Sequence, residues 1–338
     1  MRRTQIRAAA VGTTLLLALG AAACSGGDKT GDGATSTPSA SSAAPRSASP
    51  TPTPSPTPSP TKAANYDPIT GAKKSDNVVA AVKIDNVAAA RPQVGLDQAD
   101  MIVVERVEGN LTRMVAIYHS KFADRVEPVR SARNTDVQFL PMFGKPALVF
   151  SGANRKVLKQ VRQSPYLRPV PRSRRDPARV APHNVVVNTA EIARLPGIGK
   201  AQPIGYTFGS GAQWKSATAA AKVKIKVGVD TFGFDYTGGR YRTSWNGRAN
   251  TDGASGKPVL TDNIVRLSVK SHKDTNTTSE LSNVAETIGT GTVTIYSQGK
   301  QVGGTWKRTK LNGPMTLRDA HGKDIPLKPG RTWIILDG

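Results

Sequence analysis

A segment near the amino terminus limits which part of this chain can fold. Residues 25–64 consist almost entirely of Ser, Thr, Pro, Ala and Gly, with Thr-Pro and Ser-Pro pairs alternating over residues 50–60. This composition offers too few apolar side chains to bury, and its prolines favour extended polyproline geometry. We therefore predict that residues 24–64, a cysteine followed by this segment, form a disordered stalk, which leaves residues 65–338 as the folded part.

The residues before the stalk are typical of an exported protein. Residues 1–7 contain Arg2, Arg3 and Arg7 but no acidic residue, and residues 8–19 are mostly apolar. The apolar run is shorter than the about 20 residues that a membrane-spanning helix needs, and small residues follow it where a peptidase would cut. Residues 1–23 are therefore predicted to be a signal peptide that is removed.

The position of the single cysteine indicates a lipid anchor. Cys24 directly follows three alanines, which resembles a bacterial lipobox, although Ala21 stands where such sequences usually carry leucine. In a lipobox the cysteine is acylated, for example with palmitate, and becomes the mature amino terminus. Because two or more acyl chains give stable attachment, we expect Cys24 to hold the protein on the extracytoplasmic side of the cell membrane. The alternative is a plain signal peptide with an incidental cysteine.

The charge of the chain narrows the class of partner. Lys and Arg number 47 against 24 Asp and Glu, a formal net charge of +23, and loss of the three signal-peptide arginines leaves +20. Outside the membrane the accessible polyanions are lipid headgroups and wall polymers, so this charge favours an anionic envelope component over nucleic acid. A basic composition is also typical of proteins from high-GC organisms, so charge alone does not define a ligand.

The order of the predicted elements gives the fold class. Apolar, β-branched runs predict strands in the first part of the folded region, at residues 78–84, 101–107, 112–119, 146–150 and 185–187. Helices are predicted over residues 154–162 and from Thr189, where Asn188 begins a capping box. Later runs at residues 222–229, 264–269 and 290–296, separated by glycine turns, predict strands only. We predict a mixed α/β lobe over residues 65–205 and a predominantly β lobe over residues 206–338.

One short segment has the composition of an anion site. Arg130, Ser131 and Arg133 stand immediately before a predicted short helix that runs through residue 139. Guanidinium and hydroxyl groups beside helix amino-terminal amides bind carboxylates and phosphates. The candidate site also includes three residues from other segments: Arg113, His183 and Asn184. The alternative is that the arginines pair with buried acids and only stabilise the fold.

Three carboxylates are candidates either for those ion pairs or for acid–base chemistry: Asp85, Glu105 and Glu108. Glycoside hydrolysis needs two carboxyls that flank the scissile bond. The sequence has no G-x-S-x-G, no phosphate-binding Gly-Lys loop and no H-E-x-x-H, and its four histidines show no metal-ligand spacing. We therefore predict no cofactor and no metal. The favoured function is a non-catalytic module that binds an anionic wall polymer or a wall-synthesis protein, and the alternative is a carbohydrate-active or phosphate-transferring enzyme.

An ordered series of short sequences resembles the YerB-type family of bacterial cell-envelope lipoproteins. The series spans nearly all of residues 65–338 and includes Ile84-Asp85-Asn86, Arg91-Pro92-Gln93, Gly95-Leu96, Thr112-Arg113, Pro128 to Arg133, Ala181 to Asn184, Asn263, Trp306, Pro329-Gly330 and Thr332-Trp333. The resemblance implies a lipoprotein with a two-part domain. It implies no reaction, since the family has no established biochemical role.

Overall fold

A computed structural model describes residues 66–275 and 282–338. The predicted signal peptide, Cys24 and the predicted stalk over residues 24–64 lie outside these ranges. The first part contains both strands and helices: β1 (Ala80–Asp85), β2 (Met101–Arg106), β3 (Thr112–Tyr118), α1 (Asn134–Phe139), β4 (Ala147–Phe150), α2 (Arg155–Gln163), β5 (Arg168–Pro171) and α3 (Thr189–Ala193). Across the described ranges, every helix is too short or too polar to span a bilayer.

The second part consists of strands joined by turns. They are β6 (Thr218–Ala219), β7 (Lys222–Val227), β8 (Asp230–Thr237), β9 (Arg240–Trp245), β10 (Arg248–Ala249), β11 (Leu260–Thr261), β12 (Asn263–Ser268), β13 (Lys270–Lys273), β14 (Asn283–Glu286), β15 (Gly289–Ser297), β16 (Lys300–Arg308), β17 (Thr316–Arg318) and β18 (Thr332–Asp337). Short 3-10 helices cover Ala88–Ala90, Leu96–Gln98, Glu108–Asn110, Leu140–Phe143 and Ala212–Trp214. The predicted fold class, mixed α/β followed by mostly β, is confirmed.

Most predicted elements form close to the expected positions, with one exception. The Asn188 side chain accepts hydrogen bonds from the backbone amides of Ala190 and Glu191, so it caps α3 as its sequence indicates. Residues 185–187 were expected to form a strand, yet they pair only through single bridges, Arg175 with Val185 and Val126 with Val187. This strand prediction is wrong because the segment meets a different neighbour on each side and forms no continuous ladder with either.

A large mixed sheet connects the two parts of the chain. Among the described residues it has 11 strands, in the order β17-β16-β15-β12-β18-β2-β3-β1-β4-β5, with β6 paired to β16. The last strand of the chain, β18, runs parallel to β12 on one side and to β2 on the other. The main sheet is therefore built from strands on both sides of residue 205.

Apolar side chains cover both faces of the main sheet. On one face, α1 and α2 pack through residues such as Phe139 and Val157 against Val115 and Ile334. On the other face, a five-stranded antiparallel sheet, β10-β9-β8-β7 with β11 paired to β9, contributes further apolar side chains. Trp333 of β18 contacts Phe234 of this second sheet edge to face, with ring centroids 5.5 Å apart. Burial on both faces explains why β18 is apolar along most of its length.

Candidate functional site

The predicted site residues converge at one end of the three neighbouring strands β1, β3 and β2. Asp85 of β1 and Glu105 of β2 are both in register with Arg113 of β3, which lies between them. Lys83 is two residues before Asp85 on β1 and therefore faces the same side of the sheet. This is the face against which α1 packs. The strand pairing thus brings together four charged side chains from three strands.

Asp85 is the centre of this cluster. Its side chain is fully buried and lies 3.2 Å from the Arg113 NH1 atom, 2.9 Å from Arg130 Nε and 2.6 Å from His183 Nδ1. An ionised carboxylate can only accept hydrogen bonds, so the proton on His183 Nδ1 is directed at Asp85. One buried carboxylate therefore positions three basic side chains that come from a strand and two loops.

Backbone hydrogen bonds fix Arg130 beside β1. The Arg130 amide donates to the carbonyl of Lys83 at 2.8 Å, and the Arg130 carbonyl accepts from the amide of Ser151 at 3.0 Å. The preceding residue, Val129, pairs with Ile84 and donates its amide to the carbonyl of Val185. Residues 128–130 thus extend the sheet beside the end of β1, which places the Arg130 side chain next to Asp85.

Arg133 is held at the start of α1 by a second carboxylate. Its Nε and NH2 atoms lie 3.0 and 2.7 Å from Glu108 Oε2, and its backbone amide donates to Asp136 Oδ2 at 2.7 Å. Burial alone would raise the pKa of Glu108, but the hydrogen bond and charge of Arg133 lower it below its ordinary value. The remaining Glu108 oxygen, Oε1, accepts a weak contact from the Ser282 hydroxyl at 3.4 Å. Both oxygens of Glu108 therefore have partners.

A buried triad lies behind this surface. Lys83 Nζ contacts Glu105 Oε1 and lies 2.7 Å from Asp136 Oδ1, and none of the three side chains is more than 2% exposed. Burial raises the pKa of Glu105 to about 7, the charge of Lys83 opposes this shift, and the charge of Asp136 adds to it. One lysine thus neutralises two carboxylates, one of which binds its proton more strongly than usual.

The pKa of Arg113 depends on its burial and on the four charged side chains around it. Burial lowers its pKa, and the positive charges of Arg130 and Arg133 lower it further, while Asp85 and Glu108 act in the opposite direction. Its Nε atom is buried without a hydrogen-bond partner among the described residues, and its NH1 atom donates to the Thr112 carbonyl at 3.0 Å. Arg113 is therefore a partly satisfied cation inside the cluster.

Two of the predicted site residues, Ser131 and Asn184, take no part in the ion pairs around Asp85. The Ser131 hydroxyl makes no hydrogen bond to any residue in the described ranges, although it lies between Arg130 and Arg133 in the chain. The Asn184 side chain accepts from Arg175 NH1 and donates to the carbonyls of Asp176 and Arg179. Asn184 therefore stabilises its own loop and does not contact Arg130.

Lys83 and Asp136 were not identified from the sequence. Lys83 stands within the apolar run at residues 78–84, where a charged side chain has to be buried with a partner. The position of a lysine within this apolar run is the sequence signal that could have identified Lys83 as a buried, paired residue. Asp136 stands three residues after Arg133 in a short polar segment, and no pattern there separates a buried acid from an exposed one.

Comparison with known proteins agrees with this architecture. Residues 68–202 match the family described as "Protein of unknown function (DUF3048) N-terminal domain", and residues 221–334 match its C-terminal domain. A protein of Bacillus subtilis (strain 168) described as "Putative lipoprotein YerB" is 28% identical over 291 residues, which cover 79% of this chain and 84% of that protein. The crystal structure of YerB from Bacillus subtilis aligns with a TM-score of 0.68 at 25% identity, over 80% of this chain and 96% of the other. With both domains present in order, the chain belongs to the DUF3048 family.

Proposed function

We propose that this protein is a lipoprotein, anchored through Cys24 on the extracytoplasmic side of the membrane, whose folded part binds an anionic group of the cell wall. The ligand is a phosphate or carboxylate carried by a wall polymer, and the binding groups are Arg130 and His183, positioned by Asp85. The similarity to a Bacillus subtilis protein named as a lipoprotein supports the anchored location.

The hydrogen bonds that Arg130 leaves unmade are the main support for this proposal. Asp85 contacts Arg130 through Nε, and neither terminal nitrogen of Arg130 donates a hydrogen bond to a described residue. His183 is similar, since Nδ1 faces Asp85 and Nε2 has no partner within the described ranges. Arg130 is thus held by Asp85 through an ion pair and keeps both terminal nitrogens as donors, while Nε2 of His183 can donate to an anion when both ring nitrogens carry protons. A guanidinium whose terminal nitrogens are both available can donate two parallel hydrogen bonds to a phosphate or carboxylate.

Exposure within the cluster also favours an anionic ligand. The side chains of Arg130 and His183 are 25% and 19% exposed, whereas that of Asp85 is completely buried. The accessible part of this ion-pair centre is therefore basic. The strongly positive net charge of the chain would add long-range attraction to a polyanion.

The carboxylates offer less support for catalysis. A pKa of about 7 would suit Glu105 as a general acid, but its side chain is only 2% exposed and contacts Lys83. Asp85 is enclosed by basic groups, and Glu108 is held by Arg133. A general acid or base has to reach the proton that it transfers, and none of these three carboxylates is free to do so. The cluster therefore supports binding more than the enzymatic alternative.

The test is retention of the full mature chain on purified anionic wall polymer at several salt concentrations. Because a charge-assisted hydrogen bond contributes about 1.5–3 kcal/mol, we expect Arg130→Gln to weaken retention by at least about tenfold. The matched control is Arg155→Gln, which removes the same charge from an exposed arginine at the start of α2.

Stability is measured on the same variants by thermal unfolding. Asp85 keeps Arg113 and His183 as partners in Arg130→Gln, so we expect a protein that remains folded at the temperature of the binding assay. Equal retention of the wild type and Arg130→Gln, or an equal loss in the Arg155→Gln control, would contradict the proposed site.

A further inference from the structure

A basic pocket lies at the end of the main sheet opposite the Arg130 cluster. It forms a cavity of about 470 Å³ whose lining includes four basic side chains, Lys121, Arg240, Lys328 and Arg331. Arg331 immediately precedes β18, and Asp100, which also lines the cavity, immediately precedes the parallel strand β2. Asp85 and Glu105, in contrast, stand at or near the carboxyl ends of their strands. At about 3.3 Å per residue, the two sites are separated by roughly 15–20 Å along the strands.

One carboxylate organises this pocket. Asp262 lies 3.1 Å from Arg240 NH2 and 3.0 Å from Lys328 Nζ, and it accepts the Arg331 backbone amide at 3.0 Å. Gly330 has a φ of +143°, and a Cβ at this position would overlap the Asp262 carboxylate. The Pro-Gly-Arg turn therefore requires glycine, and that turn brings Asp262 against the backbone of Arg331.

The Arg331 side chain lacks a partner in this otherwise organised site. Its guanidinium makes no hydrogen bond or ion pair to any residue in the described ranges, although the residue is half-buried. Burial lowers its pKa, and the like charge of Arg240 lowers it further, while Asp100, Asp97 and Asp262 oppose these effects from a distance. A half-buried guanidinium next to a second arginine is costly unless an anion neutralises it.

The acids of the pocket do not fill this role. Asp262 is occupied by Arg240, Lys328 and the Arg331 amide. Asp100 accepts the amides of His119 and Ser120 at 2.7 and 2.8 Å and also the Ser120 hydroxyl. The cavity lining therefore has four cations against two carboxylates that already have donors, and an excess of positive charge remains.

We propose that this pocket binds a phosphate group carried by a larger envelope molecule, with Arg331 as the principal contact. A planar guanidinium gives phosphate two parallel hydrogen bonds, and Lys121 adds charge at the rim. Lipid headgroups and wall polymers both carry such phosphates outside the membrane, and the experiment separates these two sources.

Binding is measured on the full mature chain carrying Cys24→Ser, so that no acyl chain contributes, and Arg130→Gln, so that the first cluster does not contribute. One arm uses soluble poly(glycerol phosphate), and the other uses phosphatidylglycerol vesicles with phosphatidylcholine vesicles as reference, both at fixed ionic strength. We expect saturable binding in at least one arm, weakened at least tenfold by Arg331→Gln, and the arm that responds identifies the source.

The control is Arg318→Gln, which removes an exposed arginine of β17 that pairs with Asp324 outside the cavity. Arg331→Gln removes no ion pair between described residues and should not lower the melting temperature. Lys121→Gln, at an exposed position, is a second variant that should weaken binding in the same arm. Binding that is absent in both arms, or that Arg318→Gln weakens as much as Arg331→Gln, would overturn the proposal. Because every protein in this experiment carries Arg130→Gln, neither result tests the function proposed above for the Arg130 cluster.

Discussion

At the scale of single residues, Lys83 has the most unusual environment in the site. Its ammonium group is fully buried between Glu105 and Asp136. We expect Lys83→Met to lower the free energy of unfolding by about 3–5 kcal/mol, because two buried carboxylates would lose their cation. Urea unfolding measures this loss. Lys224→Met is the control, since Lys224 lies on the exposed face of β7 and should change stability by no more than about 0.5 kcal/mol. A loss in Lys83→Met no larger than in the control would contradict the buried triad.

The ion pairs of Arg130 and Arg133 were only partly predictable from the sequence. Their spacing before a helix indicates either an anion site or pairing with buried acids, and the structure shows that Asp85 and Glu108 are their partners. That Asp85 also contacts His183, which is 98 residues away in the chain, depends on how the loop before Val185 folds over β1. No local pattern encodes that contact.

Among the secondary-structure elements, a buried ion pair connects the turn that contains Asp67 to His119, the residue directly after β3. His119 Nε2 lies 2.8 Å from Asp67 Oδ2, and both side chains are fully buried. Burial alone would lower the pKa of His119, but the neighbouring Asp67 carboxylate raises it above its ordinary value. Burial would likewise raise the pKa of Asp67, and the contact with His119 helps to lower it.

These pKa shifts predict how the contribution of the His119–Asp67 pair to the stability of the fold depends on pH. The folded protein holds the His119 proton more tightly than the unfolded chain, so this stabilisation is fully present below about pH 6.5 and is lost as pH rises through the raised pKa. Asp67 sets the acid limit, because its contribution is lost as pH falls through its lowered pKa.

We therefore expect His119→Gln to cost more stability at about pH 6 than at about pH 9. Urea unfolding of the wild type and the variant at both pH values measures the difference, and the titration of Glu105 largely cancels because both proteins contain it. An equal cost at the two pH values would contradict the raised pKa of His119.

The secondary structure was more predictable than the strand order. Alternation of Lys with Val or Ile over residues 222–227 predicts a strand with one buried face, and β7 has that pattern. The position of β18 between β12 and β2 could not be predicted in this way, because a strand buried on both faces carries no alternation that identifies its neighbours. Pairing between the end of the chain and β2 is a property of the whole topology.

In the whole molecule, we propose that a lipid anchor at Cys24 holds a basic folded part at the membrane. We expect Cys24→Ser to move the protein from the membrane to the soluble fraction or the medium, because acyl chains would provide the attachment. Fractionation of cells followed by immunodetection measures this change. Partitioning that still depends on detergent in the variant would contradict anchoring through Cys24.

Binding of an anionic wall group by Arg130 and His183 is measured by NMR of their side chains. The full mature chain, labelled with ¹⁵N in Arg and His, is titrated with poly(glycerol phosphate) at fixed ionic strength. We expect saturable shifts of the Arg130 Nε and His183 Nε2 signals, with the exposed Arg155 unchanged. Polymer binding that leaves both signals in place, or no binding at all, would contradict the proposed site.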